Sequence, residues 1–394
     1  MTARIRVTRT VKLPDEMQVE RCLRAPELGP KVLFFSGGSA LRSLCRVLKR
    51  YTHNSIHLIT AFDSGGSSAS LREAFNMLSV GDLRNRLMAL ADESAQGNPA
   101  IYELFSHRFQ SSASPTILRK RLAAMIDGRD LVEPVPTPMR RIIRTHLRLF
   151  AESAPNDFDL RGASIGNLIL AGGHRLNEGD MDSVVYLFSK LVAVRGTVLP
   201  IVDANLHLAA RLADDNIIVG QHLFAGKERP SLRQPIRDIW LCPGLDDPSP
   251  TKTDLHSKVK DLIDDADLIV YPMGSFWSSV MANLLPSGVG RAIAAAKCPK
   301  VYVPSTGPDS ELIGTSTNEC IQHLLRTLRR DCGPETPTTD LLNAVILDEN
   351  PSNYFGLNVR ELQDWELSTA ALPLVTAGNE IDSERLAHVL LSLA

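Results

Sequence analysis

The 394-residue chain has no CxxC pair. Its six cysteines, at 22, 45, 242, 298, 320 and 332, stand apart, which excludes a disulfide scaffold and a zinc knuckle and leaves reduced structural thiols. No apolar run approaches the length of a membrane span, and the basic N-terminus MTARIRVTRTVKLP lacks the apolar stretch of a signal peptide. A cytoplasmic protein without membrane contact is therefore expected. An excess of one charge is missing too: 43 Lys and Arg face 45 Asp and Glu, for a net charge of −2. That balance argues against a nucleic-acid partner held by bulk charge. The ten histidines form no HxH or HExxH cluster, so no zinc or iron is assigned. GxGxxG is absent, neither Ser36 nor Ser39 sits in a GxSxG elbow, and no lysine follows the glycine turns at 37–38, 65–66 and 274, which removes the P-loop NTPases and makes a serine hydrolase a poor fit.

What is present can build a large core. With 44% hydrophobic and 22% charged residues, the length fits two or three domains, or one large decorated one. Ile5, Val7, Val11 and Leu13 alternate with polar residues and read as a short strand before Pro14. Lys31 to Phe35 is an apolar run that ends in Ser36-Gly37-Gly38-Ser39 and leads into a helical pattern. Ile56 to Phe62 repeats that logic, ending in Asp63-Ser64-Gly65-Gly66-Ser67-Ser68. Leu268 to Tyr271, before Pro272-Met273-Gly274-Ser275, repeats it in the second half. Strands that end in glycine and serine turns predict a parallel α/β sheet. The runs 196–202, 206–212 and 217–220 are predicted as a small antiparallel meander. An Arg-rich stretch predicts a helical insertion over residues 95–160, its basic face turned to solvent. The expected division is residues 1–94 and 161–330 as the core, 95–160 as the insertion, and 331–394 as a C-terminal extension packed on the core.

Glycine turns at strand ends let backbone N–H groups approach an anion, and several such ends converge on one crevice in an open sheet. Asp63 stands at one of them, where a carboxylate meets a magnesium ion on phosphates, acts as a base, or closes an Asx-turn. Asp82 opens a helix as its N-cap or faces a ligand, with Arg84 and Asn85 beside it. Asn167 and Asn283 lie in apolar helical stretches and must bond either a ligand or a neighbouring loop. Trp277, beside the third turn, either stacks on a base or packs in the core.

The strings FFSGGSALRSL, ITAFDSGGSSASLR, VGDLRNRLMALAD, SIGNLIL, AVRGTVLP and YPMGSFWSSVMANLLPSGVGRAI, followed by KVYV, resemble the family of 2-phospho-L-lactate transferase (CofD) and the gluconeogenesis factor YvcK. They occur in the family's order over roughly residues 31 to 305. The resemblance implies a Rossmann-like three-layer αβα fold that binds a nucleotide-diphosphate compound, either a GDP-linked donor or a UDP-sugar. In the transferase branch, a magnesium-dependent reaction passes a phospholactyl-type group to the hydroxyl of a deazaflavin. In the other branch, the protein is a non-catalytic UDP-sugar-binding regulator. The first expectation is the transferase, and the second is the regulator.

The resemblance places the diphosphate on Gly37, Gly38, Ser39, Gly65, Gly66, Ser67 and Ser68. It gives Asp63 and Asp82 catalytic roles, with Asp63 on magnesium and Asn85 beside the metal or acceptor. Asn167, Gly274, Ser275 and Asn283 fall to the nucleotide. A homodimer is compatible with it. Three departures stand out: Asp63-Ser64 in place of Asp-Asp, Pro272-Met273-Gly274-Ser275 in place of Gly-Pro-Gly-Ser, and Pro304 to Asp309 in place of Asn-Leu-Met-Thr-Gln-Pro.

Overall fold

The computed structural model describes residues 10–94, 97–224, 232–376 and 378–394. Its strands are β1 (Val32–Ser36), β2 (Ile56–Ile59), β3 (Thr197–Pro200), β4 (His207–Leu212), β5 (Ile217–Val219), β6 (Ile236–Cys242), β7 (Leu268–Tyr271), β8 (Lys300–Tyr302), β9 (Ala344–Asp348) and β10 (Ser368–Leu372). Seven form one sheet in the order β10-β9-β8-β7-β1-β2-β3. Every pairing in it is parallel. Strands β1, β2 and β7 are buried at every position, which is why they read as continuous apolar runs and not as alternation. Helices flank the sheet, giving the Rossmann-like αβα architecture. Among the described residues, no helix is long and apolar enough to cross a membrane.

The small antiparallel sheet has the order β5-β4-β6. The predicted meander is thus corrected at one member. Residues 197–200 pair with β2 at the edge of the large sheet, and β6 takes their place beside β4. The predicted N-terminal strand is not seen at residues 10–13, and Ile5 and Val7 lie outside the described residues.

Three helices, Pro99–Ser106, Pro115–Ile126 and Thr137–Ser153, occupy the Arg-rich stretch. The last lies along the helix Ile165–Leu176. Gly172 and Gly173 make that approach possible, since a Cβ on Gly172 would stand 2.7 Å from the carbonyl carbon of His146. Arg140 and Arg144 donate to the carbonyls of Val135 and Ile126, at 2.8 and 2.6 Å, while Arg119 and Lys120 are exposed. Residues after 331 add β9 and β10 to the sheet. The helix Ser383–Leu393 then returns to pack on the helix Arg42–Leu48.

Candidate functional site

β1 has β2 on one side and β7 on the other, so the chain order reverses at β1. A crevice opens at such a switch point. Here it is a cavity of about 290 Å³, walled by residues 36–41 after β1, by Asp63, Gly65 and Gly66 after β2, and by residues 272–275 after β7. Gln221 and His222, which follow β5 of the small sheet, supply a further wall.

Gly37 and Gly38 are required by close approach. A Cβ on Gly37 would stand 3.1 Å from Ser279 Cβ and 3.2 Å from Asp82 Oδ2. One on Gly38 would run into the Asp82 carboxylate, with Cγ at 2.7 Å and Cα at 3.1 Å. Behind this turn lies Arg86, fully buried. It donates to Gly37 O at 2.7 Å, to Ser36 Oγ at 3.2 Å and to Cys45 Sγ at 2.7 Å. It has no carboxylate partner among the described residues, so its charge backs the cradle uncompensated. Burial, the largest influence, pushes the Cys45 thiol up against the lowering pull of Arg86.

Asp63 stands on the cavity wall, where its Oδ1 accepts the Gly65 N–H at 3.1 Å. This is an Asx-turn, and it holds the second glycine turn in shape. Gly66 follows with φ +50°. Asp82 also lines the cavity, but it is not a cap: Val80 holds that position for the helix Gly81–Leu90, and Asp82 lies in the first turn. Ser64 is buried and reaches away from the sheet, its Oγ 2.8 Å from His222 Nδ1. The backbone N–H of His222 donates to the same Oγ at 3.4 Å.

The third turn is Gly274 (φ +132°) and Ser275, with the Gly274 N–H on Ser305 Oγ at 3.0 Å. Ser275 precedes a wide π turn, Phe276–Val280, that tightens into Met281–Leu284. Two carboxylates, half-buried Asp309 and fully buried Glu311, satisfy its first amides. Asp309 Oδ2 accepts from Phe276 N–H at 2.9 Å, and Glu311 Oε2 from Ser278 N–H at 2.8 Å. Ser278 also donates its hydroxyl to Glu311 Oε1. Burial raises the pKa of both carboxyls, and the Asp309 charge raises that of Glu311 further. The departure after β8 therefore builds the support of this turn.

Of the predicted residues, Gly37, Gly38, Ser39, Asp63, Gly65, Gly66, Asp82, Gly274 and Ser275 meet at the cavity. Five others do not line it. Ser68 is packed beneath Gly81. Asn85 accepts from Arg84. Asn167 is buried and donates to Ser67 Oγ at 3.3 Å, which holds Ser67 beside the crevice and not in it. Asn283 is fully buried and ties Ser36 O (3.2 Å) to Ser279 O (2.8 Å). Asn167 and Asn283 fasten neighbouring segments because their helices are buried on the side they occupy. Trp277 belongs to the core, edge-on to Phe276 and His323. The sequence reading missed Arg86, His222 and Ser279. The i, i+4 series Ser275, Ser279, Asn283 was a signal for the last of them.

No group of three or more His, Cys, Asp or Glu able to hold a metal ion exists among the described residues. Two carboxylates on one cavity wall, Asp63 and Asp82, fit a magnesium ion held mainly by phosphates, which needs only one or two.

Residues 32–368 match the family described as 2-phospho-L-lactate transferase CofD. The chain is 28% identical over 377 residues to the gluconeogenesis factor of Bacillus subtilis, covering 92% of this chain and 98% of that protein. It is 32% identical over 298 residues to a putative gluconeogenesis factor of Thermoanaerobacterium thermosulfurigenes, covering 75% and 74%. A crystal structure of a UPF0052 family member from Bacillus halodurans shares the fold, with a TM-score of 0.67 and 22% identity over 92% of this chain and 99% of that one.

Proposed function

The chain belongs to the CofD family, and on that premise we propose that it binds a nucleotide-diphosphate compound, a nucleotide sugar, in the crevice at β1, β2 and β7 and works as a cytoplasmic regulator of the gluconeogenesis-factor kind. The diphosphate sits on the amides of Gly37 and Gly38, with Arg86 behind them and Ser39 beside them. The observation that carries the regulatory reading is Ser64. Where the resembling motif has a second carboxylate, this chain has a hydroxyl bonded to His222. The position is spent on joining the small sheet to the cradle and not on a metal. The relatives' name, gluconeogenesis factor, supports the same reading. Calorimetry with UDP-sugars and GDP-linked compounds tests it: micromolar binding with the ligand recovered intact is expected. Turnover of a GDP-linked donor in the presence of magnesium and a deazaflavin acceptor would overturn it.

A second reading, the phospholactyl-type transferase, rests on Asp63 and Asp82 facing one cavity. They would hold magnesium, which when bound neutralises phosphate charge. Asp63 would orient the acceptor hydroxyl against the phosphorus. On this reading Asp63→Asn abolishes turnover while donor binding persists.

A further inference from the structure

Two carboxylates, Asp63 and Asp82, face the cavity at β1, β2 and β7, and no lysine or arginine lines it. Arg86 stands behind the first turn, donating to Gly37 O, Ser36 Oγ and Cys45 Sγ. His222 is therefore the one lining side chain, among the described residues, that can carry a positive charge. It is half-buried, and its ring is held on two sides. Gly220 (φ +106°) lies so close that a Cβ there would stand 2.7 Å from Cε1 and 2.9 Å from Nδ1. Ser64 Oγ meets Nδ1 at 2.8 Å and the His222 backbone N–H at 3.4 Å. Nε2 has no partner among the described residues.

We propose that His222 is the cation of this site: on ligand binding its imidazole takes a proton from solvent and donates Nε2–H to a phosphate oxygen, which makes occupancy of the crevice pH-dependent. The inference rests on the nucleotide-diphosphate reading of the cavity. Its warrant is charge balance. A diphosphate esterified at both ends brings two negative charges into a space already walled by two carboxylates, and a proton on that wall lowers the cost of the approach. The Ser64 bond suits both states of the ring. A hydroxyl donates to a bare Nδ1 or accepts from a protonated one, and its oxygen keeps a second lone pair for the backbone N–H. Histidine is the side chain whose charge changes between about pH 5 and 8. The charged and titratable groups on the elements around His222 are Asp63 after β2, Asp82 on the same cavity, Arg72 of the helix Gly66–Phe75, His207 of β4 and Asp246 after β6. The carboxylates favour a proton on His222, and Arg72 opposes it. His207 does not compete for that proton, because burial first, and Arg72 and His222 after it, pull its own pKa down to about 4.

The test is calorimetry with UDP-glucose and GDP-mannose at fixed magnesium from about pH 6 to about pH 8, a range in which the doubly esterified diphosphate keeps its charge. For whichever nucleotide binds, affinity should fall about tenfold across that range, the scale of one charge-assisted hydrogen bond. Titrations at neutral pH in buffers of different ionisation enthalpy should show net proton uptake. His222→Gln, with circular dichroism to show the fold intact, should bind at every pH about as the unaltered protein does at the alkaline end, without proton uptake. His222→Lys should recover at the alkaline end part of the affinity seen at the acid end. A flat affinity in the unaltered protein, or a pH dependence and proton uptake that survive His222→Gln, would overturn the role of His222 and leave the nucleotide reading standing. Failure of both compounds to bind at every pH would overturn both.

Discussion

At Gly38 the cradle has no space for even a methyl group, because the Asp82 side chain fills the position a Cβ would take. Gly38→Ala is therefore expected to displace Asp82 and weaken nucleotide binding by at least about tenfold, read by calorimetry alongside circular dichroism to show the fold intact. Binding within twofold of the unaltered protein would mean that the amides of this turn do not meet the ligand. Arg86 is the complementary case. A buried charge behind the turn acts through a low-dielectric wall, so losing it costs an anionic ligand on the order of 1–2 kcal/mol. Arg86→Gln should then weaken diphosphate binding roughly tenfold, with uncharged nucleosides unaffected in the same titration. The two positions were not equally legible. A glycine pair after an apolar run announces a turn because few other residues permit one, whereas a lone arginine inside LRNRLMAL has no local signature. His222 is hidden for another reason: it reaches the cavity from a different sheet, and no spacing in the sequence records that approach. The asparagines at 85, 167 and 283 were legible as residues needing partners. Which partner they found depended on packing.

The segment Phe276–Leu284 owes its position to loop 304–312, whose Asp309 and Glu311 receive its first amides. Glu311 is fully buried, and burial together with Asp309 raises its pKa. A carboxyl whose pKa is raised by folding holds its proton more tightly in the native state. Its contribution to stability is complete below the unfolded value and is lost as the pH rises through the raised one. Glu311→Gln fixes the neutral form. The melting temperature of the unaltered protein, taken relative to Glu311→Gln, should fall as pH climbs from the usual carboxylate range to neutrality. A flat or rising difference in thermal melts across that range would show that Glu311 does not hold a proton there. At this scale the sequence was informative where pairing is announced by a buried run, as in β1, β2 and β7, each followed by its glycine turn. It failed at β3. Residues 197–200 sit next to β4 in the chain but pair with β2, about 140 residues earlier, and parallel partners leave no hairpin signal. β9 and β10 were obscured likewise, since pairings set by a distant strand give no local pattern beyond a short apolar stretch.

The large and small sheets meet at the cavity, and Arg72 is the joint. It is 3% exposed and donates to Phe62 O at 3.3 Å and Asp63 O at 3.0 Å on one side. On the other it holds Asn205 Oδ1 at 3.0 and 2.8 Å, and Leu206 O, just before β4. Burial pulls its guanidinium down to about 10 while the nearby Asp63 pushes back. The carbonyls of the Asp63 turn and the entry to the small sheet thus share one cation, and the Ser64–His222 bond fastens the same two parts a few residues on. The joints differ in strength. Arg72→Gln strips a buried guanidinium from several acceptors and should cost about 3 kcal/mol in urea denaturation. Ser64→Ala removes one neutral hydrogen bond and should cost about 1 kcal/mol. Both should weaken nucleotide binding, Arg72→Gln more, because it frees the Asp63 wall and the His222 wall together. A double-mutant cycle between Ser64→Ala and His222→Gln should give a coupling of about 0.5–1.5 kcal/mol. If Arg72→Gln lowers stability by the expected amount and leaves ligand affinity unchanged, the small sheet is a decoration. If affinity falls with stability, the small sheet is the fourth wall of the site, and the ligand holds the two sheets in register.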